Sequence, residues 1–493
     1  MRTDSGLRRL VLGTLLAAYP GDPPPGWALD LLGDGLAGYP LFGRNIVDPA
    51  QVAAATAALR GARPDVLVTI DEEGGDVTRL AHATGSPWPG NAALGAVDDV
   101  ELTRQVYRAI GTELAVLGIN VDLAPTVDVN SADDNPVIGT RSFGADPALV
   151  AAHSAAAVTG LQAAGVAACA KHFPGHGATV ADSHHELPTV DVPLDVLRAR
   201  DLPPFAAAVS AGTRAVMTAH IRVPALTGNA PATFSRAVLV DLLRHEYGFT
   251  GAVVTDALEM QGAALAAGGV GPAAVRALAA GADLLCVGAQ VDAALVERVV
   301  AEVTGALADG HLPLARVEEA AVRAAELAGW ARAGVAGTGV AGQPALDGLG
   351  YQIARRAVRL EGRPETGVPL VVQLFTASTI AEGRVPWGLG PHLDGAELLR
   401  VVADETDPAA LRELAGERPL VLVGRHLHRL AGAGRLVEAL AAVHPVTVVE
   451  MGWPAGWRPA GVRAFVTTYG ASHANGRAAA EVLGLAAGTG RPR

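Results

Sequence analysis

Lys171, His172, His176, Asp182, His184, His185 and Glu186 fall within a single short segment, spaced by Pro174, Gly175 and Gly177. Side chains of these types bind polar ligands, move protons or hold metals. The segment begins as an apolar run, Val166-Ala167-Ala168-Cys169-Ala170, and turns abruptly polar at Lys171 and His172. That reads as a strand buried on both faces whose C-terminal end delivers Lys171 and His172 to a ligand. A solvated histidine-rich loop is the plain alternative, and the clustering of Lys171, His172, Asp182 and His184 argues against it. His172 and His176 stand at i, i+4, but Pro174 and the two glycines break a helical ligand pair, so no metal and no cofactor is expected. His176 reads as a loop-packing residue and His185 as a solvated or structural one.

The elements that must position these groups repeat as strand then helix. Apolar runs predict strands at 11–17, 36–42, 65–70, 119–123, 166–170, 215–218, 252–255 and 283–287. Helical spacing falls at 26–36, 48–59, 99–117, 147–163, 194–211, 236–247 and 291–308. Eight strands in about 290 residues predict a (β/α)8 TIM barrel of the α/β class. Chemistry follows strand after strand: Asp71-Glu72-Glu73-Gly74-Gly75, Ala124 to Asp128, Lys171-His172, Ala219-His220, and Asp256. In a closed barrel these strand ends converge on one mouth. Asp48, Asp99 and Asp146 are instead read as helix N-caps.

The chain has 493 residues, half of them apolar, which predicts two domains. The small residues of 334–350 mark the edge, giving a catalytic barrel over 1–340 and a C-terminal domain over 341–493. The latter carries shorter apolar runs at 368–374, 398–402, 419–423, 446–450 and 464–468, a smaller α/β three-layer sandwich to which no catalytic residue is assigned. The net charge of -12, without a basic stretch, argues against a nucleic-acid partner. No uninterrupted apolar segment reaches a membrane span. Cys169 and Cys286, the two cysteines, lie in apolar strand-like runs and read as buried reduced thiols, with a cytoplasmic location as the default. Arg8-Arg9 followed by residues 10–18 is similar to a short export signal, the alternative location, but fits better as the first strand of the fold.

Several separate motifs resemble glycoside hydrolase family 3, and within it the NagZ-type β-N-acetylglucosaminidases: Ile70 to Gly75, Gly139 to Gly144, Lys171 to His176, Asp182-Ser183-His184 and Val254 to Leu258. The C-terminal region, with Tyr469 to Asn475, resembles that of the two-domain members. The resemblance implies removal of terminal β-linked N-acetylglucosamine with retention of configuration, typically from cell-wall fragments. Some histidine-using members transfer the sugar to phosphate, so a phosphorylase on the same site stays open, as does a catalytically inactive sugar-binding protein.

By resemblance Asp256 is the nucleophile, a role suited to a carboxylate held rigidly at a strand end. The alternative for Asp256 is an N-cap. The resemblance points to Asp182 and His184 as the acid/base pair: imidazole titrates near neutrality, and Asp182 would orient the ring. The glycines and Pro174 before it predict a loop that can carry His184 in and out of the mouth. Asp71, Arg79, Arg141, Lys171 and His172 are implied in holding the sugar, with structural ion pairs as the alternative for the two arginines. The chain departs from the family at Asp76, where Arg often follows the two glycines. Asp76 is not counted as a ligand.

Overall fold

The computed structural model describes residues 5–288, 292–337 and 348–486. Contacts divide it into two compact units. The first holds the described residues through Glu72, Val100–Ile138, and Ala145 onward through the long helix Leu314–Gly337. The second holds Glu73–Asp99, Gly139–Gly144 and the described residues from Gly348. The expected change of domain at residues 340 and 341 lies outside the described residues.

The first unit is the expected barrel. Its strands are β1 (Leu15–Ala17), β2 (Gly38–Leu41), β3 (Leu67–Ile70), β4 (Val121–Asp122), β5 (Ala167–Phe173), β6 (Ala215–Thr218), β7 (Ala252–Thr255) and β8 (Leu285–Val287). All pair in parallel in the order β7-β6-β5-β4-β3-β2-β1-β8, and a parallel bridge from Val254 to Leu284 brings the ends together. Every strand residue is buried, which is why these strands read as near-continuous apolar runs. Inward side chains such as Leu16, Leu67, Val121, Cys169, Met217 and Val254 fill the interior, and Ala324, Leu327, Ala328 and Ala331 of helix Leu314–Gly337 pack against them. Cys169 and Cys286 are buried free thiols, as read from their surroundings.

Three elements differ from expectation. Val11 and Leu12 end a helix, Ser5–Leu12, so the first strand is confined to Leu15–Ala17. The predicted helix over 194–211 is two, Leu194–Arg200 and Pro203–Ser210, because a proline cannot continue the hydrogen-bond ladder of the preceding turn. β5 runs on to Phe173, so Lys171 and His172 project from the strand itself rather than from the loop after it. Asp48 and Asp146 do cap their helices, accepting the backbone N–H of Gln51 and of Ala148.

The second unit is a three-layer sandwich. Strands β9 (Arg359–Gly362), β10 (Leu370–Leu374), β11 (Glu397–Val401), β12 (Leu420–Gly424), β13 (Val446–Glu450) and β14 (Ala464–Thr467) lie in the order β11-β10-β12-β13-β14-β9, with β9 antiparallel. Helices Pro408–Ala415 and Ala433–Ala441 cover one face, and Leu349–Ala357 and His473–Val482 the other. Among the described residues no single helix is long and apolar enough to cross a membrane.

At the amino end of β8, Asp283 is fully buried and accepts from Arg244 and Arg316 and from the Val253 N–H, with Arg323 at 3.4 Å. Removing it would strand two largely buried guanidinium groups. Asp283→Ala should therefore destabilise the barrel by roughly 3 kcal/mol or more, read as a clear drop in thermal midpoint. An unchanged midpoint would show that the cluster carries no net stabilisation.

Candidate active site

At the opposite, carboxyl end of the barrel the polar groups are paired with one another. Lys171 is 2 % exposed, and its Nζ donates to Asp71 Oδ1 at 2.7 Å, joining the ends of β5 and β3. A buried ammonium needs such a partner, since desolvation without it would discharge the amine. Below this pair, Asp122 on β4 accepts the Glu72 N–H at 3.0 Å. Burial pushes its carboxyl well above the ordinary carboxylate range, with the Glu72 N–H opposing that shift.

Asp128, after β4, has no solvent exposure and organises the next group. Its Oδ2 accepts from His172 Nδ1 at 2.8 Å, and its Oδ1 accepts the His176 N–H at 2.7 Å. Burial raises this carboxyl, but the charge and hydrogen bond of His172, then His176, outweigh it and hold Asp128 below the usual range. The bond fixes the proton of His172 on Nδ1 and turns Nε2 away from Asp128. Gly177 permits the fold of this loop, because a Cβ there would sit 1.9 Å from the Val129 carbonyl oxygen.

Asp182 and His184 form a second carboxylate–imidazole pair. His184 Nδ1 lies 2.7 Å from Asp182 Oδ1, and the His184 N–H donates to the same oxygen at 2.9 Å. Both side chains are half-buried. Burial raises Asp182, and the hydrogen bond from His184 more than reverses it. Asp256, directly after β7, is partly exposed, and its Oδ1 accepts the Ala257 N–H at 2.8 Å. Its desolvation is outweighed by His220, then His172 and His184, so the carboxyl is held below its ordinary range. The structure thus brings Asp71, Lys171, His172, Asp182, His184 and Asp256 together in the first unit.

His220, to which the sequence assigned no role, is fully buried beside Asp256. Its Nε2 donates to the Ala257 carbonyl at 3.1 Å, and its Nδ1 meets Thr233 Oγ1 at 2.7 Å. Burial lowers its pKa, the charge of Asp256 opposing that shift, and the Thr233 hydroxyl donates to the Ala219 carbonyl at 3.1 Å. Its strand-end position was the available signal for it, as for Asp128; their partners lie tens of residues away and left no local pattern.

Arg79 and Arg141 belong to the second unit. Arg141 makes a buried bidentate pair with Glu73, Nε to Oε2 at 3.0 Å and Nη2 to Oε1 at 2.8 Å, the ion pair weighed for it from sequence. Asp76 is also buried there, accepting from Thr140 Oγ1 and from the Ala471 N–H, both at 2.7 Å. Among the described residues no group of three or more His, Cys, Asp or Glu side chains could hold a metal ion. A cavity of about 320 Å³ lined by Arg9, Arg63, Ala37 and Leu67 lies at the amino ends of the strands, away from these titratable pairs, which mark the site better than its volume does.

Residues 29–327 match the model of the glycosyl hydrolase family 3 N terminal domain. The chain is 42% identical over 249 residues to Beta-hexosaminidase A of Pseudoalteromonas piscicida, a match covering 46% of this chain and 42% of that relative's length. It is 41% identical over 267 residues to Beta-hexosaminidase LpqI of Mycobacterium tuberculosis, covering 53% of this chain and 68% of the relative. A solved glycoside hydrolase family 3 beta-N-acetylglucosaminidase from Paenibacillus sp. str. FPU-7 superposes with a TM-score of 0.85 at 33% identity, covering 98% of each chain.

The hydrogen bond from His184 is what keeps Asp182 low against its burial. His184→Ala should therefore raise the Asp182 pKa, measured by carbon-13 titration of its carboxyl. An unmoved titration would show that the pair is not formed in solution.

Proposed function

The chain belongs to glycosyl hydrolase family 3, and from that premise we propose that it is a retaining exo-β-N-acetylglucosaminidase of the NagZ type, with GlcNAc-terminated cell-wall fragments as its substrate. The observation that carries this reading is the Asp182–His184 pair beside an Asp256 carboxyl kept ionised by its neighbouring imidazoles. The names of the hexosaminidases and of the N-acetylglucosaminidase it is similar to support the choice of sugar.

In this mechanism Asp256 Oδ1 is engaged by the Ala257 N–H, and Oδ2 attacks C1 of the bound sugar. The glycosidic bond breaks as His184 Nε2–H protonates the leaving oxygen, and a glycosyl ester of Asp256 forms. Asp182, at Nδ1, stabilises the imidazolium and holds the ring in the right tautomer, much as a triad carboxylate orients its histidine. In the second step Nε2 takes a proton from water, which attacks C1 and releases the sugar with its β configuration restored. Asp71, Lys171 and His172 hold the pyranose, the charged groups matching its many directional hydrogen bonds. Phosphate in place of water would give a sugar 1-phosphate from the same ester.

Turnover of an aryl β-N-acetylglucosaminide beside the matching β-glucoside, with and without phosphate and followed by proton NMR, tests this. The expected product is β-GlcNAc, formed first and mutarotating later. GlcNAc 1-phosphate growing with phosphate would make the protein a phosphorylase, and no turnover by folded protein would make it a sugar-binding protein. Asp256→Ala should lose about a thousandfold or more in kcat, and Asp256→Asn nearly as much while still binding the sugar. Ordinary activity in both variants would remove Asp256 from the nucleophile's role.

A further inference from the structure

The pair His184 and Asp182 sits on a segment whose flanking residues are more open than the one between them. From Ala181 through Leu187, Ser183 alone is buried, at 2 % exposure. Its hydroxyl is bonded outside the dyad, Ser183 Oγ lying 3.1 Å from His176 Nε2. We propose that His176 and Ser183 form a latch that positions the acid/base loop. They are positioning residues that touch no substrate, and the proposal rests on the acid/base reading of His184.

Three observations argue for a built arrangement rather than incidental packing. First, His176 is itself fixed on every side. Its N–H donates to Asp128 Oδ1 at 2.7 Å, its carbonyl accepts from Asn135 Nδ2 at 2.9 Å, and its ring is 2 % exposed. Second, both ring nitrogens are engaged. The Thr179 hydroxyl donates to the His176 carbonyl at 3.0 Å, His176 Nδ1 lies 2.8 Å from Thr179 Oγ1, and Nε2 meets the Ser183 hydroxyl. Third, the Ser183 carbonyl accepts the Gly262 N–H at 3.2 Å, on the other side of the loop. A Cβ at Gly262 would come within 3.1 Å of the Glu186 carbonyl and of His220 Cβ, so a larger residue there would press on the same loop. Asp182 and His184, two residues apart, thus bond each other while the residue between them bonds His176. A hydrogen-bonded chain runs from Asp128 through His176 to Ser183.

A latch of this kind affects the step that needs a proton and spares the step that does not. Departure of an alkoxide requires the general acid, whereas departure of a dinitrophenolate does not. Ser183→Ala should therefore lower kcat/KM about tenfold for a methyl β-N-acetylglucosaminide and change it less than about twofold for the 2,4-dinitrophenyl substrate. His176→Ala should show the same pattern, and the double variant should be no worse than the weaker single one, because both act through one bond. Ser183→Ala removes a single oxygen, so the result stands even where the His176 variant fails to fold. Equal losses on both substrates, no loss on either, or additive losses in the double variant would overturn the latch. His184→Ala in the same assays separates the two ideas. Leaving-group dependence in His184→Ala without it in Ser183→Ala removes the latch alone, whereas its absence in His184→Ala removes the acid/base reading and the latch with it.

Discussion

Asp128 is a carboxylate with no access to water, and the open end of the barrel is arranged around satisfying it. An ionised buried carboxyl is tolerable only with donors on its oxygens and positive charge nearby. The donors come from the ring of His172 and the backbone N–H of His176, two residues that frame the turn after β5. One buried charge therefore orients one imidazole directly and the path of the following loop through the other. The direction of Asp182 and His184 depends in turn on where that loop begins.

The two ends of the barrel answer the same electrostatic problem with different bases. At the amino ends Asp283 is met by arginines, whose charge does not change over any accessible pH. The result is a fixed brace. At the carboxyl ends the partners of Asp128, Asp182 and Asp256 are histidines, whose two ring nitrogens can each donate or accept. The same distinction separates a structural face from a working face in barrels generally.

Asp76 shows how a departure from a family's usual residue can be absorbed. Where Arg often stands, this chain buries an acid that accepts from Thr140 and from the Ala471 N–H. Burial raises its carboxyl, and the guanidinium of Arg425, stacked on Trp387, opposes that rise. The positive charge is supplied from a different part of the chain rather than lost.

Most of the architecture was legible because parallel strands buried on both faces write themselves as short apolar runs. The runs at 215–218, 252–255 and 446–450 coincide with β6, β7 and β13. β9 was invisible for the converse reason: all four of its residues are exposed, and an edge strand held by backbone bonds leaves no apolar signature. The helix Ser5–Leu12 was hidden because its buried Val11 and Leu12 are parted from β1 only by Gly13 and a buried Thr14. Within the site, the sequence by itself determined the groups that act over one or two residues, above all Asp182 and His184, whose pairing is a property of a local turn. Only the tertiary structure decided the pairs that join different strand ends, Asp71 with Lys171, Asp128 with His172 and His176, and His220 beside Asp256, and, within one segment, the link from His176 to Ser183. A carboxylate's partner is chosen by which strand ends meet in space, and sequence separation carries no record of that meeting.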